Sequence, residues 1–179
     1  GDLVFQFAGN LGRGQGIGCL LSAIIKMDAS QAHFLFFGNG VYKEKLVEYS
    51  SQFNLTYAGT FPRDQSGQFL NACDVAIVSL QDGMLGLGVP SKTYNILAVG
   101  KPIIYIGDEA SEIALLVKEH RIGIVCKSGD TDSIIKGFNQ FLSLSPDDLV
   151  EMSERARKVS FLYSKEKVLD KYALVYSEK

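Results

Sequence analysis

Short apolar runs alternate with longer, mixed stretches along the whole chain. Six of the runs read as strands: residues 3–8 (LVFQFA), 31–37 (QAHFLFF), 54–58 (NLTYA), 74–80 (DVAIVSL), 102–106 (PIIYI) and 123–126 (GIVC). Most are near-continuous in their apolar residues, as strands covered on both faces are. Between them, helical spacing predicts helices over residues 19–27, 41–51 and 63–72, the second with Val41, Leu46, Val47 and Tyr49 on or near its inner side. Another helix starts at a Ser91 cap and closes at Gly100, with Tyr94, Leu97 and Ala98 on one face. Val89-Pro90 keeps the chain out of helix before Ser91. Asp108 is expected to cap a helix to about His120, with Ile113, Leu116 and Val117 inward, and Asp130 the next, to about Leu142. Ser145-Pro146-Asp147-Asp148 supplies a cap, a first-position proline and a third-position acid. A last helix over 165–176 carries Val168, Leu169, Tyr172 and Val175 as a stripe.

Strands alternating with helices imply an α/β fold: a Rossmann-like, doubly wound parallel sheet of about six strands with helices on both faces. No repeat, low-complexity tract or linker interrupts it, so residues 1–179 are expected to form a single domain. In such folds ligands sit beyond the carboxyl ends of the strands, where the strand order reverses. That rule selects the loop after the first strand (9–18), the loop after the second (38–40) and the loop after the fourth (81–92).

The first loop holds glycines at 9, 12, 14, 16 and 18. Glycine permits close backbone approach and positive φ, which a phosphate cradle needs. The spacing departs from a dinucleotide fingerprint, and Gly38, Asn39 and Gly40 stand where a ribose-binding acid would end the second strand. No P-loop lysine pattern occurs, so NAD and P-loop ATP chemistry are poorly supported. Arg13, beside Gly12 and Gly16, presents a fork suited to a diphosphate. Ser91 and Lys92 approach from the fourth loop and open a helix whose free N–H groups favour anions. Gly38, Asn39 and Gly40 leave room for a nucleoside, and Thr60 and Phe61 wall the base. A solvated arginine, an ordinary capped helix and a hydrophobic staple at Phe61 are the structural readings of the same residues.

Composition narrows the classes further. The 179 residues are 46% hydrophobic and carry a net charge of -2, so no general nucleic-acid affinity is indicated. No run reaches the roughly 18 apolar residues of a membrane span, and the first residues do not read as a signal peptide. The abrupt start on a strand suggests a piece of something longer. Cys19, Cys73 and Cys126 form no CxxC pair or Cys/His cluster, which speaks against a metal site and for a reducing compartment. No Ser-His-Asp or Cys-His arrangement and no acid pair stands out, so no catalytic residue is assigned. Asp108, Glu109 and Glu112 read first as helix-start acids.

Pro90-Ser91-Lys92-Thr93-Tyr94, then Leu97-Ala98, then Gly100-Lys101-Pro102 resemble the donor-site helix of GT-B glycosyltransferases of the retaining family 4, especially bacterial members that build surface polysaccharides. Phe7 to Gly12, Phe37 to Gly40, Cys73 to Ala76 and Gly123-Ile124-Val125 extend the resemblance over most of the chain. It is to the C-terminal, donor-binding half; the N-terminal acceptor half is absent and becomes an expected partner domain. The resemblance implies transfer from a nucleotide sugar with retention of configuration, with UDP-sugar favoured and GDP-sugar open, and without a cofactor or an obligatory metal. It implies a cytoplasmic enzyme, with the parent peripheral at the inner membrane face, and a domain that binds donor without catalysing alone. Against the family pattern, Asn10 stands for an arginine, Gln15 for a lysine, Asn95 for the ribose-holding glutamate and Leu87 for an earlier glutamate. Arg13 and Lys92 are expected to supply the phosphate charge instead, with Gln15 alongside, and Asn95 to bond a ribose hydroxyl. Gly83, Met84, Ser111 and Glu112 are expected near the donor sugar. The alternatives are a nucleotide-sugar epimerase of the same architecture, for which His33 and His120 are poorly placed, and a non-enzymatic nucleotide-binding α/β domain.

Overall fold

A computed structural model describes residues 2–28, 30–61, 69–84, 86, 91–163, 167 and 169. The expected helix over 63–72 and the final helix over 165–176 lie largely outside the described residues, as do Leu87 and Pro90.

All six expected strands form: β1 (Leu3–Ala8), β2 (Ala32–Phe37), β3 (Leu55–Tyr57), β4 (Val75–Ser79), β5 (Ile103–Gly107) and β6 (Gly123–Lys127). They make one parallel sheet in the order β3-β2-β1-β4-β5-β6. The order reverses between β1 and β4, which pair from Phe5 opposite Val75 to Phe7 opposite Ile77. This is the doubly wound arrangement, and it puts a crevice at the carboxyl ends of β1 and β4.

Alternation along the strands sorts the core into two layers. Phe5 and Phe7 of β1 and Phe34 and Phe36 of β2 face α1 (Ile17–Lys26) and α5 (Thr131–Leu142). Phe138 stands edge-on to Phe5 and Phe34, with ring centres 4.9 and 5.0 Å away. Ala76, Val78, Ile103 and Tyr105 face the other way. They pack on α3 (Lys92–Ala98), α4 (Glu112–His120) and α6 (Pro146–Ser160). Each fully buried large side chain contributes about 1.5–3 kcal/mol relative to leaving it exposed.

Several local readings change. In α2 (Lys43–Ser50) only Leu46 is fully buried and Tyr49 packs partly on the core; Val47 is 54% exposed, and Val41, 69% exposed, falls before the helix. The buried face of α3 is Thr93, Ile96 and Leu97, whereas Ala98 is exposed and Tyr94 half-buried. Ser111, not Asp108, caps α4: its side chain accepts from the Ala114 N–H, and Asp108 instead turns the preceding loop by accepting from the Ala110 N–H. α1 begins two residues earlier than expected, at Ile17, because Gly16 adopts a left-handed conformation (φ 62°) and serves as its N-cap.

Other readings stand. Gly100 (φ 72°) ends α3 in a Schellman motif, with Gly100 N–H donating to Leu97 O and Lys101 N–H to Ile96 O. Ser145 and Asp148 form a reciprocal capping box with Pro146 in the first turn of α6. Cys73 and Cys126 are buried, and burial pushes both thiols up to about 12, so they behave as small core residues.

Candidate functional site

The crevice is built first from backbone. The chain leaving β1 and the chain leaving β2 are zipped together: Gly9 N–H donates to Phe37 O, Leu11 N–H to Asn39 O and Tyr42 N–H to Leu11 O. A Cβ on Gly38 (φ 135°) would fall on the Gly9 carbonyl oxygen, and one on Gly40 (φ 154°) would lie 2.5 Å from Leu11 backbone. These glycines allow two loops to touch, more than they open space beside them. Tyr57 of β3 donates its hydroxyl to Gly38 O and holds the junction from the other side.

The turn after β1 continues as a 3-10 segment, Arg13–Gln15, and is fastened across the switch point. Ser79 at the end of β4 donates its hydroxyl to Gln15 O at 2.6 Å, and Gln81 N–H donates to Gly14 O. Met84 approaches Gly14 from the same loop, whereas a Cβ added at Gly83 would point into open space. Gly12 and Gly16 bracket this turn. The Asn10 amide folds back beside Gly12, and Arg13 points out, exposed.

Lys92, the first residue of α3, reaches the other wall. Its Nζ donates to Ala8 O at 3.2 Å and sits 4.0 Å from the centre of the Phe7 ring. That is one hydrogen bond for three donors, supplemented by a cation–π contact. No carboxylate forms an ion pair with it among the described residues. Lys92 is half-buried, and the loss of water around its ammonium lowers its pKa from 10.5 to about 7. Two buried polar atoms without a hydrogen-bond partner, Gln6 Oε1 of β1 and Thr93 Oγ1 of α3, lie on the elements that Lys92 joins.

Beside Lys92 opens a cleft of about 640 Å³. Ala8, Gly9 and Asn10 form one side; Phe37, Gly38 and Asn39 another; Thr60, Phe61, Phe69 and Asn95 complete it. Phe61 and Phe69 stack with centres 5.2 Å apart, and Phe37 meets Phe61 edge-on at 4.6 Å. Phe61 keeps 40% of its surface exposed, so part of an aromatic face borders the opening. The described lining carries amides and no charge; Lys92 stands just outside it, bonded to the lining residue Ala8.

The structure thus brings Gly38, Asn39, Thr60, Phe61 and Asn95 to one cleft, with Gly12, Arg13, Gln15 and Gly16 on the adjoining turn. Gly40 goes to the loop junction. Ser91 is exposed at the start of α3, and its side chain makes no cap hydrogen bond. Ser111 is committed to the fold: it caps α4 and donates to Tyr105 Oη at 2.9 Å. Glu112 accepts from the Tyr94 hydroxyl, whose pKa burial and this bond push up to about 12. Tyr94 also packs on Tyr163, with ring centres 4.8 Å apart. Sequence reasoning missed Phe69 as a wall, because its apolar character reads equally as core, and it missed the packing of Lys92 on Phe7. Among the described residues no group of three His, Cys, Asp or Glu side chains gathers to hold a metal ion, and no helix is long and apolar enough to cross a membrane.

Comparison with known proteins agrees with this architecture. Residues 1–159 match the family described as glycosyl transferases group 1. "Probable glycosyltransferase WbjE" of Pseudomonas aeruginosa is 37% identical over 152 residues, covering 83% of this chain and 38% of that protein. Two solved structures share the fold: sucrose-phosphate synthase of Thermosynechococcus elongatus (TM-score 0.78, 18% identity, 99% of this chain and 45% of that one) and HepE of Anabaena in complex with UDP and glucose (0.75, 15%, 99% and 49%). Such neighbours are GT-B enzymes. The chain spans well under half the length of the curated relative it matches. By sequence match over most of its length, and with a doubly wound sheet to go with it, the chain belongs to the group 1 glycosyltransferases.

Proposed function

We propose that this chain is the nucleotide-sugar-binding half of a GT-B glycosyltransferase, and that residues 1–179 act as one donor domain beside a separate acceptor half. The observation that carries this reading is the cleft at the switch point, with an aromatic wall, an amide rim and one half-buried cation at its edge. The base lies against Phe61 and Phe69, Asn95 and Asn39 bond the ribose, and the diphosphate meets Lys92, Arg13 and the uncapped start of α1. In the reaction the sugar–oxygen bond to the diphosphate breaks and negative charge grows on the leaving group. Fixed cations and N–H groups aimed at that position stabilise it.

UDP-sugar is the favoured donor and GDP-sugar the alternative; HepE has been seen with UDP and with UDP-glucose. Transfer with retention and a role in surface polysaccharide synthesis complete the proposal. The name of WcaI from Escherichia coli, 26% identical over 158 residues, assigns it to colanic acid biosynthesis as a glycosyl transferase. Nucleotide sugars are cytoplasmic, which puts the enzyme in the cytoplasm, with the parent protein peripheral at the inner membrane face. The epimerase alternative loses support. His33 sits near the start of β2, bonded to Thr56, roughly 13 Å along the strand from Phe37 at the cleft.

Calorimetric titration with UDP, GDP and NAD tests the reading. Binding of UDP or GDP, weakened at least tenfold by Lys92→Met at about pH 6.5, is expected. Binding of NAD alone would overturn it.

A further inference from the structure

We propose that Lys92 is a proton-coupled anion receptor: an anionic ligand that enters beside Gly9 makes the Lys92 side chain hold a proton, so binding draws a proton from solvent and weakens as the solution becomes more alkaline. The inference rests on the donor reading and adds to it a coupling between ligand and pH.

Geometry supports it first. Nζ is anchored between two elements by a single hydrogen bond to Ala8 O and by the Phe7 ring. Two of its donor positions are therefore open to a ligand oxygen. Gly9 supplies the access, because a Cβ there would stand 3.2 Å from Nζ; its absence leaves the ammonium adjoining the cleft that Gly9 and Asn10 line. Gln6 and Thr93 lie on the same side of the sheet. Gln6 alternates with Phe5 and Phe7 and pairs with Ala76, and Thr93 shares the buried face of α3 with Ile96. Their oxygens are buried and unpartnered on that face, the one opposite to Phe7.

Electrostatics then sets the direction. Among the described residues, the charged groups on the surrounding elements are Arg13 in the turn after β1, Asp82 in the turn after β4, and Glu112 at the start of α4, which is engaged with Tyr94. β2 contributes only His33, at its far end. None of them offsets the desolvation of the ammonium, which is the sole cause of its lowered pKa of about 7. An anion within roughly 4–6 Å favours the charged form and raises that value. Above neutrality the free chain holds Lys92 largely as the amine, and the complex holds it as the ammonium. Well below neutrality both hold the ammonium, and coupling vanishes. By linkage, affinity falls by up to about tenfold per pH unit above 7.

The test is isothermal titration of this chain with UDP-glucose and, in parallel, GDP-mannose, whose phosphates stay fully ionised across the range. It is run at about pH 6.5 and about pH 8.5, in buffers of contrasting ionisation enthalpy. Expected are uptake of close to one proton at the higher pH and about a quarter of one at the lower, with affinity at least about tenfold weaker at the higher. Lys92→Arg keeps its charge throughout and is expected to bind with flat pH dependence and no uptake. Binding by the unmodified chain with equal affinity at both pH values and no buffer dependence overturns the coupling and leaves the donor reading intact. No binding of either nucleotide sugar at either pH overturns both.

Discussion

The helices that start at the carboxyl end of the sheet fall into two groups. α4 and α5, which follow β5 and β6, are capped by side chains: Ser111 accepts from Ala114 N–H and Asp130 from Ser133 N–H. α1, α2 and α3, which follow β1, β2 and β4, have no side-chain cap; Gly16, Tyr42 and Ser91 stand at their starts. The division coincides with the cleft, whose described walls come from the ends of β1 and β2, the segment after β3 and α3. Away from the switch point the orphan N–H groups of a first turn are satisfied locally, and the helix gains stability. Around it they are left for something else, and the loops are held by backbone contacts and by residues such as Ser79 and Lys92 that cross between elements.

The largest effect expected on this division comes from the junction that builds the open side. Gly38→Ala forces a side chain onto Gly9 at a positive φ, and chemical denaturation should show a loss of about 3–5 kcal/mol. A loss under 1 kcal/mol would mean that the two loops separate easily and that the cleft is not a rigid feature.

Lys92 offers the next break. Its folded pKa lies below its unfolded value, so between about pH 7 and 10 the unfolded chain binds more protons. Stability should therefore rise with pH, by up to about 1.4 kcal/mol per unit for this group. Cys73 and Cys126 act oppositely, since their raised pKa values remove stability as pH climbs past the ordinary thiol value near 9. Melting curves from about pH 7 to 8.5 avoid them. The rise should disappear in Lys92→Met, and a stability that is flat in the unmodified chain would contradict the desolvated ammonium.

The smallest effect sharpens the comparison most directly. Ser111→Ala should cost about 1 kcal/mol of stability and leave nucleotide affinity unchanged. Ser91→Ala should cost under about 0.5 kcal/mol, because its hydroxyl caps nothing, and should weaken binding several-fold. Equal stability losses for the two serines would erase the distinction.

Much of the fold was readable because it rests on local rules. Six apolar runs became six strands, and Ser145-Pro146-Asp147-Asp148 became the capping box, since every partner lies within one turn. The serine at 91 had the right residue type but adopts helical angles and caps nothing. Asp108 and Ser111 both qualified as caps, and the tertiary position of α4 selected Ser111 by placing its hydroxyl beside Tyr105. Val41 and Val47 matched the periodicity, yet Val41 falls before α2 and Val47 stays exposed, leaving Leu46 as the one fully buried side chain of the helix.

By itself, then, the sequence determined the alternation of strand and helix, the parallel sheet and the glycine-rich ends of β1 and β2, because backbone sterics and hydrophobic periodicity act between near neighbours. Only the tertiary structure decided that Gly38 serves a contact with Gly9, that Phe37, Phe61 and Phe69 share one wall, and that Lys92 packs its ammonium on Phe7. Those outcomes depend on which distant segments meet across the switch point, and on how much water the meeting leaves around a charge.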